Sequence, residues 1–265
     1  MNALLIKNEL FSIGSTEKKI VLQRFFKTGV GQYGEGDIFI GVTVPQQREI
    51  VKRYKSLPLS EIDKLLKEPY HECRLTALLF LVNEYKKEKS LEKKENIYSF
   101  YLQHIESINN WDLVDLSAPK IVGAHLLDKK GEILIELAKS DNLWAKRIAI
   151  VSTWYFIKYH RFNDTFAIAE ILLDSKEDLL HKAVGWMLRE IGKKDYEVEC
   201  DFLKKHYKRL PRTTLRYAIE RFSNETRKDF LVGNIKKNLY TVFIVFFRFI
   251  PKYLVIFVTV NDAKL

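Results

Sequence analysis

The sequence is 265 residues long, with 47% hydrophobic and 29% charged side chains, a balance that excludes a disordered chain and sets a soluble globular class. That length accommodates one large domain or two small ones, and either buries a sizeable core. Basic side chains number 44 against 34 acidic, a formal charge of +10, which favours a polyanionic partner without establishing one.

The first residues, Met1 to Glu9, carry no long apolar core ahead of their charges and do not read as a signal peptide. Residues 2–12 and 16–27 read as two helices, the second capped by Ser15 or Thr16. A glycine-rich segment follows, Gly29 to Gly41, holding five of the 11 glycines. Gly29-x-Gly31-x-x-Gly34 matches the dinucleotide fingerprint in form. That fingerprint works only between a strand and a helix, where the helix N-terminus meets a pyrophosphate. Here Leu22 to Lys27 reads as helical and no helix starts at Gly34, so the Rossmann reading is rejected.

From Pro45 onward the chain is a succession of helical patterns: 45–55, 58–67, 70–87, 90–107, 111–127, 131–139, 142–159, 164–174, 178–193, 196–208, 211–222 and 225–232. Short polar connections suit antiparallel neighbours. A basic residue followed by small and apolar ones recurs at Arg74, Arg147, Lys182 and Arg216. Arg147 and Lys182 lie 35 residues apart, and Lys182 and Arg216 lie 34 apart. Arg74 and Arg147 are 73 apart, about two periods, with Asp112 at the missing step. A helix-pair repeat of this length marks an all-α solenoid of HEAT-like type. The expectation is a curved molecule whose recurring basic position lines a concave face suited to a nucleic acid duplex.

The domain assignment is 1–233 for the solenoid and 234–265 for an apolar tail. Leu239 to Val260 has the length of a membrane span, but Arg248, Pro251 and Lys252 interrupt it, so a span is disfavoured. Two strands, an added helix on the last repeat, or translation past a shifted frame are the other readings of that tail.

Cys73 and Cys200 are far apart and read as buried thiols of a reducing cytoplasm. The six histidines show no paired ligand spacing, and no GxSxG, P-loop or Cys-His constellation is present, so no metal is expected. What remains is Asn109-Asn110-Trp111-Asp112-Leu113-Val114-Asp115, the start of a capped helix. Trp111 and Asp115 are four residues apart and share a face. They read either as a packed indole beside a first-turn carboxylate that favours the helix dipole, or as a site. Arg147 either binds a phosphate or lies over apolar surface with its head in water. Trp186 follows one repeat on, beside a mid-helix Gly185 that permits close packing or leaves room for a ligand. One acid, cations and indole faces suit a particular reaction: cleavage of an N-glycosidic bond to a base that is already cationic. Such a leaving group needs no general acid, whereas sugar hydrolases use two carboxylates. Indole faces add cation–π attraction.

At these residues the sequence resembles the bacterial DNA alkylation repair proteins of the AlkD type, DNA glycosylases built from HEAT-like repeats. The stretches that carry the resemblance are Phe25 to Gly29, Gly41 to Pro45, Asn110 to Asp115, Leu143 to Trp154, His181 to Glu190 and Arg212 to Ala218. The resemblance implies release of N3- and N7-alkylated purines from duplex DNA with no cofactor, in a cytoplasmic monomer initiating base excision repair. It implies Asp115 as the catalytic aspartate, Trp111 and Trp186 as the aromatic pair on the lesion nucleotide, and Arg147 as the cation beside them, on a phosphate. Tyr33 falls where the family has a tyrosine on the DNA, and Lys182, Arg189, Arg212, Thr213 and Arg216 are candidate backbone contacts. A non-catalytic duplex-binding relative and a protein-interaction scaffold are the alternatives; retention of Trp111, Asp115, Arg147 and Trp186 together argues against the first.

Overall fold

The computed structural model describes residues 1–235, which form one compact unit, Met1–Ile235. Asn2 and Ser15 cap α1 (Ala3–Ser12) and α2 (Thr16–Phe25) by accepting from free backbone N–H groups of the first turn. The glycine-rich segment is a loop that carries an isolated bridge between Ile38 and Tyr70, and no helix begins at Gly34. It ends at α3 (Val44–Tyr54), where the Thr43 N–H donates to Gln46 Oε1 at 3.0 Å. The helices α4 (Leu59–Leu66), α5 (His71–Lys87) and α6 (Leu91–Gln103) follow.

The fourth pattern, 90–107, breaks at His104 into α6 and a 3-10 turn, Ile105–Ser107. The fifth, 111–127, is α7 (Trp111–Ala118), a π-turn Pro119–Gly123 and α8 (Ala124–Leu126). Pro119 has no N–H for the helical ladder, and the wider turn absorbs the gap. After α9 (Glu132–Lys139), the seventh pattern splits at Thr153 into α10 (Leu143–Ser152) and α11 (Trp154–Lys158). Then come α12 (Asn163–Leu172), α13 (Asp178–Gly192), α14 (Tyr196–His206), α15 (Arg212–Ala218) and α16 (Asn224–Val232), the last closed by Gly233 in the left-handed region. No strand is present among the described residues, and no helix there is long and apolar enough to cross a membrane.

The packing is that of an α-solenoid. In one layer α5 packs on α7, α7 on α10, α10 on α13 and α13 on α15. In the other, α4, α9 and α12 lie against α5, α10 and α13, with α14 behind α13. In the first layer α5 and α10 are buried over most of their circumference because they are covered on both sides. In α5 even Glu72 and Arg74 are buried. Two glycines set how closely that layer stacks. A Cβ at Gly185 on α13 would lie 2.5 Å from both Thr214 O and Tyr217 Cβ of α15, so this glycine serves close packing rather than ligand room. Gly123 likewise abuts Ser152 O, and its Cβ would reach Tyr155 Cβ at 2.9 Å.

The recurring basic position is not a row of solvent-facing cations. Arg74 and Arg147 are buried on carboxylates, Lys182 is half-buried and Arg216 is exposed. α16 ends at Val232, with Gly233 as its C-cap. Every reading of the tail beyond residue 235 lies outside the described residues.

Candidate active site

The site is built on the start of α7, and a buried polar cluster fixes that start. Asn110 is the N-cap: its Oδ1 accepts from the Trp111 N–H at 2.9 Å, and its Nδ2 donates to Asp37 Oδ2 at 2.9 Å. Asp112, not Asp115, is the first-turn acid that the helix dipole favours, a correction to the reading made from spacing. His71 stands between Asp37, 2.9 Å from Nδ1, and Asp112, 2.9 Å from Nε2. Arg74 pairs with Asp37 and donates to Glu68 O at 2.9 Å. Burial alone would depress the His71 pKa. The Asp112 and Asp37 carboxylates overcome it and lift the imidazole to about 9, so two cations face two anions in the core. Burial raises the Asp37 pKa, but His71, Arg74 and Asn110 more than offset that, and its net shift is downward.

Four rings stack from this cluster to the surface. His71 lies against Phe39 with centroids 4.4 Å apart, Phe39 against Phe26 at 5.0 Å, and Phe26 against Trp111 at 5.1 Å and 17°. One face of the indole is thereby fixed by packing, and Phe25 meets it edge-on at 5.9 Å. The loop carrying Phe39 is in turn tied to α5. Both Glu72 oxygens accept backbone N–H groups, from Ile40 at 2.9 Å, Gly41 at 2.8 Å and Val42 at 3.1 Å.

Asp115 sits one turn above Trp111. Arg147 of α10 grips it with two parallel bonds, Nε to Oδ1 at 2.9 Å and Nη2 to Oδ2 at 2.8 Å, while Nη1 donates to Leu179 O at 2.6 Å. The Asp115 side chain keeps 16% of its surface in solvent against 6% for Arg147, so the acid is the more accessible of the two. Arg147 thus spends three of its five N–H donors on the carboxylate and a carbonyl. Burial pushes the Asp115 pKa up, and Arg147 opposes the shift without cancelling it.

Across from Asp115, the α13 helix presents Trp186, whose Nε1 donates to Glu190 Oε1 at 3.1 Å. Trp111, Asp115, Arg147 and Trp186 line a single cleft of about 450 Å³, shared with Tyr33, Lys182 and Arg189. Tyr33 lies edge-on to Trp144 at 6.5 Å. Lys182 pairs with Asp178 at 2.7 Å, and Arg189 with Glu220. The remaining DNA-contact candidates do not line the cleft: Arg212 and Arg216 are exposed on α15, and Thr213 Oγ1 donates to Asp178 at 3.1 Å. Phe25, Leu179 and Tyr217 complete the lining and were missed as site residues. All three lie inside or next to stretches that carried the resemblance, which was the available signal. Cys73 and Cys200 are buried free thiols. Among the described residues there is no group of three or more His, Cys, Asp or Glu side chains placed to hold a metal ion.

A family model described as DNA alkylation repair enzyme matches residues 6–222. No curated protein matches the sequence. Among solved structures, one described as a predicted DNA alkylation repair enzyme from Enterococcus faecalis superposes with a TM-score of 0.64 at 18% identity, over 80% of this chain and 97% of that one. At that identity the likeness shows a shared fold.

Proposed function

The chain belongs to the family of DNA alkylation repair enzymes, and we propose that it is a glycosylase of the AlkD type, hydrolysing the N-glycosidic bond of cationic N3- and N7-alkylated purines in duplex DNA. The observation that carries this reading is that the cleft holds one acid, Asp115, in the same lining as two indoles and the guanidinium that grips it.

An alkylpurine leaves with the bonding electron pair, which cancels its positive charge, so no acid is required to protonate it. The deoxyribose becomes oxocarbenium-like as the bond lengthens. A fixed carboxylate stabilises that developing charge in a site partly shielded from water. Water then bonds to the anomeric carbon and gives up a proton, with Asp115 as the acceptor in reach, leaving an abasic site. Arg147 holds both carboxylate oxygens at a set orientation, so little reorganisation accompanies the charge change. Trp111, backed by Phe26, and Trp186, tethered through Glu190, offer ring faces to the cationic base or sugar. In this reading the protein acts as a cytoplasmic monomer that begins base excision repair and uses no cofactor.

The deciding assay is release of 7-methylguanine from methylated duplex DNA by the wild-type protein and by Asp115→Asn, with folding checked by circular dichroism. Wild-type release that collapses in the variant is the expected result. Equal release by both would sink the catalytic assignment. Absent release with salt-dependent duplex binding retained would favour a non-catalytic binding module. No duplex binding at all would leave a scaffold.

A further inference from the structure

The cations of the lesion cleft are already spoken for. Arg147 is held by Asp115, Lys182 by Asp178 and Arg189 by Glu220. A second cleft, of about 390 Å³, presents the opposite situation. Lys86, Lys94, Lys120 and Lys158 converge on it from α5, α6, the π-turn and α11, with Tyr85 and Tyr155 in its wall. None of the four lysines makes an ion pair among the described residues. Of the acids nearby in sequence, Glu88 pairs with Lys93 and Glu95 with Lys129, while Glu84 and Glu92 neither line the cleft nor enter an ion pair among the described residues. The Tyr85 hydroxyl meets His125 Nδ1 at 3.2 Å, and no carboxylate lines the cleft.

Gathering four ammonium groups around a lining that holds no carboxylate opposes folding and needs a reason. The strain registers on Lys120: burial, then Arg48 and Lys86, pull its pKa below the ordinary lysine value. The aromatic walls add ring faces to two of the cations. Lys94 lies 5.2 Å from the Tyr85 centroid and Lys158 5.9 Å from that of Tyr155. A neighbouring cleft of about 350 Å³, sharing Lys158, extends from this region to α13. It is lined by Trp154, Lys158, Glu190 and Lys193, and Glu190 is the residue that tethers Trp186 in the lesion cleft.

We infer that the cleft between α5, α6, the π-turn and α11 is a phosphate-binding site distinct from the lesion cleft, taking phosphodiesters of the DNA strand that runs from one cleft to the other past Lys193 and Lys158. The inference rests on the proposed DNA substrate and assigns its electrostatic grip to residues outside the reacting centre. Binding strength and chemistry are then housed separately, one on free cations and the other on paired ones. The small-molecule source of the same chemistry, a free phosphate or pyrophosphate, is the competing occupant.

The test neutralises three of the lysines together, Lys86→Gln, Lys120→Gln and Lys158→Gln, and titrates an undamaged duplex against salt. A lysine that neutralises one phosphate contributes about 0.9 to the slope of log K on log salt, so the slope of the triple variant is expected to fall by about 2.7. Its single-turnover release of 7-methylguanine at saturating DNA is expected to stay at the wild-type rate. Its Tm should equal or exceed that of wild type, because repulsion is relieved. An unchanged salt slope overturns the site, and so does a lowered Tm, which would make these lysines part of the fold. If wild type binds no duplex, the DNA reading has failed on its own. Thermal stabilisation by pyrophosphate, lost in the triple variant, would then support the phosphate site, and its absence would overturn that too.

Discussion

Asp115→Asn, Arg147→Met and the double substitution form a thermodynamic cycle whose outcome follows from the geometry. The two side chains meet through bonds of 2.9 and 2.8 Å and expose 16% and 6% of their surfaces. Opposite charges about 4 Å apart in a partly shielded site attract by about 4 kcal/mol, and desolvation of both ions opposes much of that. Removing the carboxylate charge leaves a buried guanidinium with the Leu179 carbonyl as its remaining full-strength partner, an expected loss of about 3–5 kcal/mol. Removing the guanidinium costs less, about 2 kcal/mol, because Asp115 reaches solvent and can take up a proton instead. The double variant has no unpaired charge, so its loss should fall short of the sum by about 2 kcal/mol. The asparagine keeps one acceptor, which makes that coupling a lower bound. Urea unfolding of the four proteins, with m-values compared for two-state behaviour, measures it. Losses that add to within about 0.5 kcal/mol would refute a direct pair and, with it, the idea that Arg147 presets the carboxylate.

Glycosylase activity should have an acid limb above the ordinary carboxylate range. Asp115 must be ionised to act, its pKa is raised, and activity is therefore present above that raised value and lost as pH falls through it; a pH–rate profile with its midpoint at or below the ordinary value of 3.8 would contradict this. Glu199 is 1% exposed, and burial, against the pull of Arg189, lifts its carboxyl from 4.5 to about 9. A raised folded-state pKa contributes stability that is full below 4.5 and declines up to about 9, so at pH 8 the wild type has lost on the order of 3–5 kcal/mol that Glu199→Gln retains. Denaturation midpoints at pH 5 and pH 8 with the same pH slope in both proteins would disprove it. Gly185→Ala should lower stability by about 1–3 kcal/mol despite alanine's helix preference, since its Cβ would sit 2.5 Å from Thr214 O. A Tm that holds or rises in differential scanning calorimetry would show that α13 and α15 can separate freely.

The helical repeat was legible because a solenoid repeats one problem. Each pair must bury one stripe, and the stripe recurs at Arg74, Arg147, Lys182 and Arg216 whatever else changes. Spacing put Trp111 and Asp115 on one helix face, the resemblance joined Arg147 and Trp186 to them, and the structure brings all four to one cleft. The pairing of Arg147 with Asp115 was not. Nothing in a sequence distinguishes a cation free for phosphate from one engaged 32 residues away. The Asp37–His71–Asp112 cluster was hidden for a similar reason, since its members sit in a loop and two helices with no motif joining them. The helix breaks at Pro119 and Thr153 were passed over because apolar spacing continues through them.

The hydrogen bond between Asn110 and Asp37 spans 73 residues, whereas Thr213–Asp178, Lys205–Glu170 and Arg209–Asp174 each span 35. The last described repeats are therefore joined like a zipper, each tooth engaging the next. The N-terminal end is joined differently: Asp37 laces α5 and α7 into one block through His71, Arg74 and Asn110. Asp115 stands at the seam between the two regimes, with α7 in the laced block and Arg147 on the first tooth beyond it.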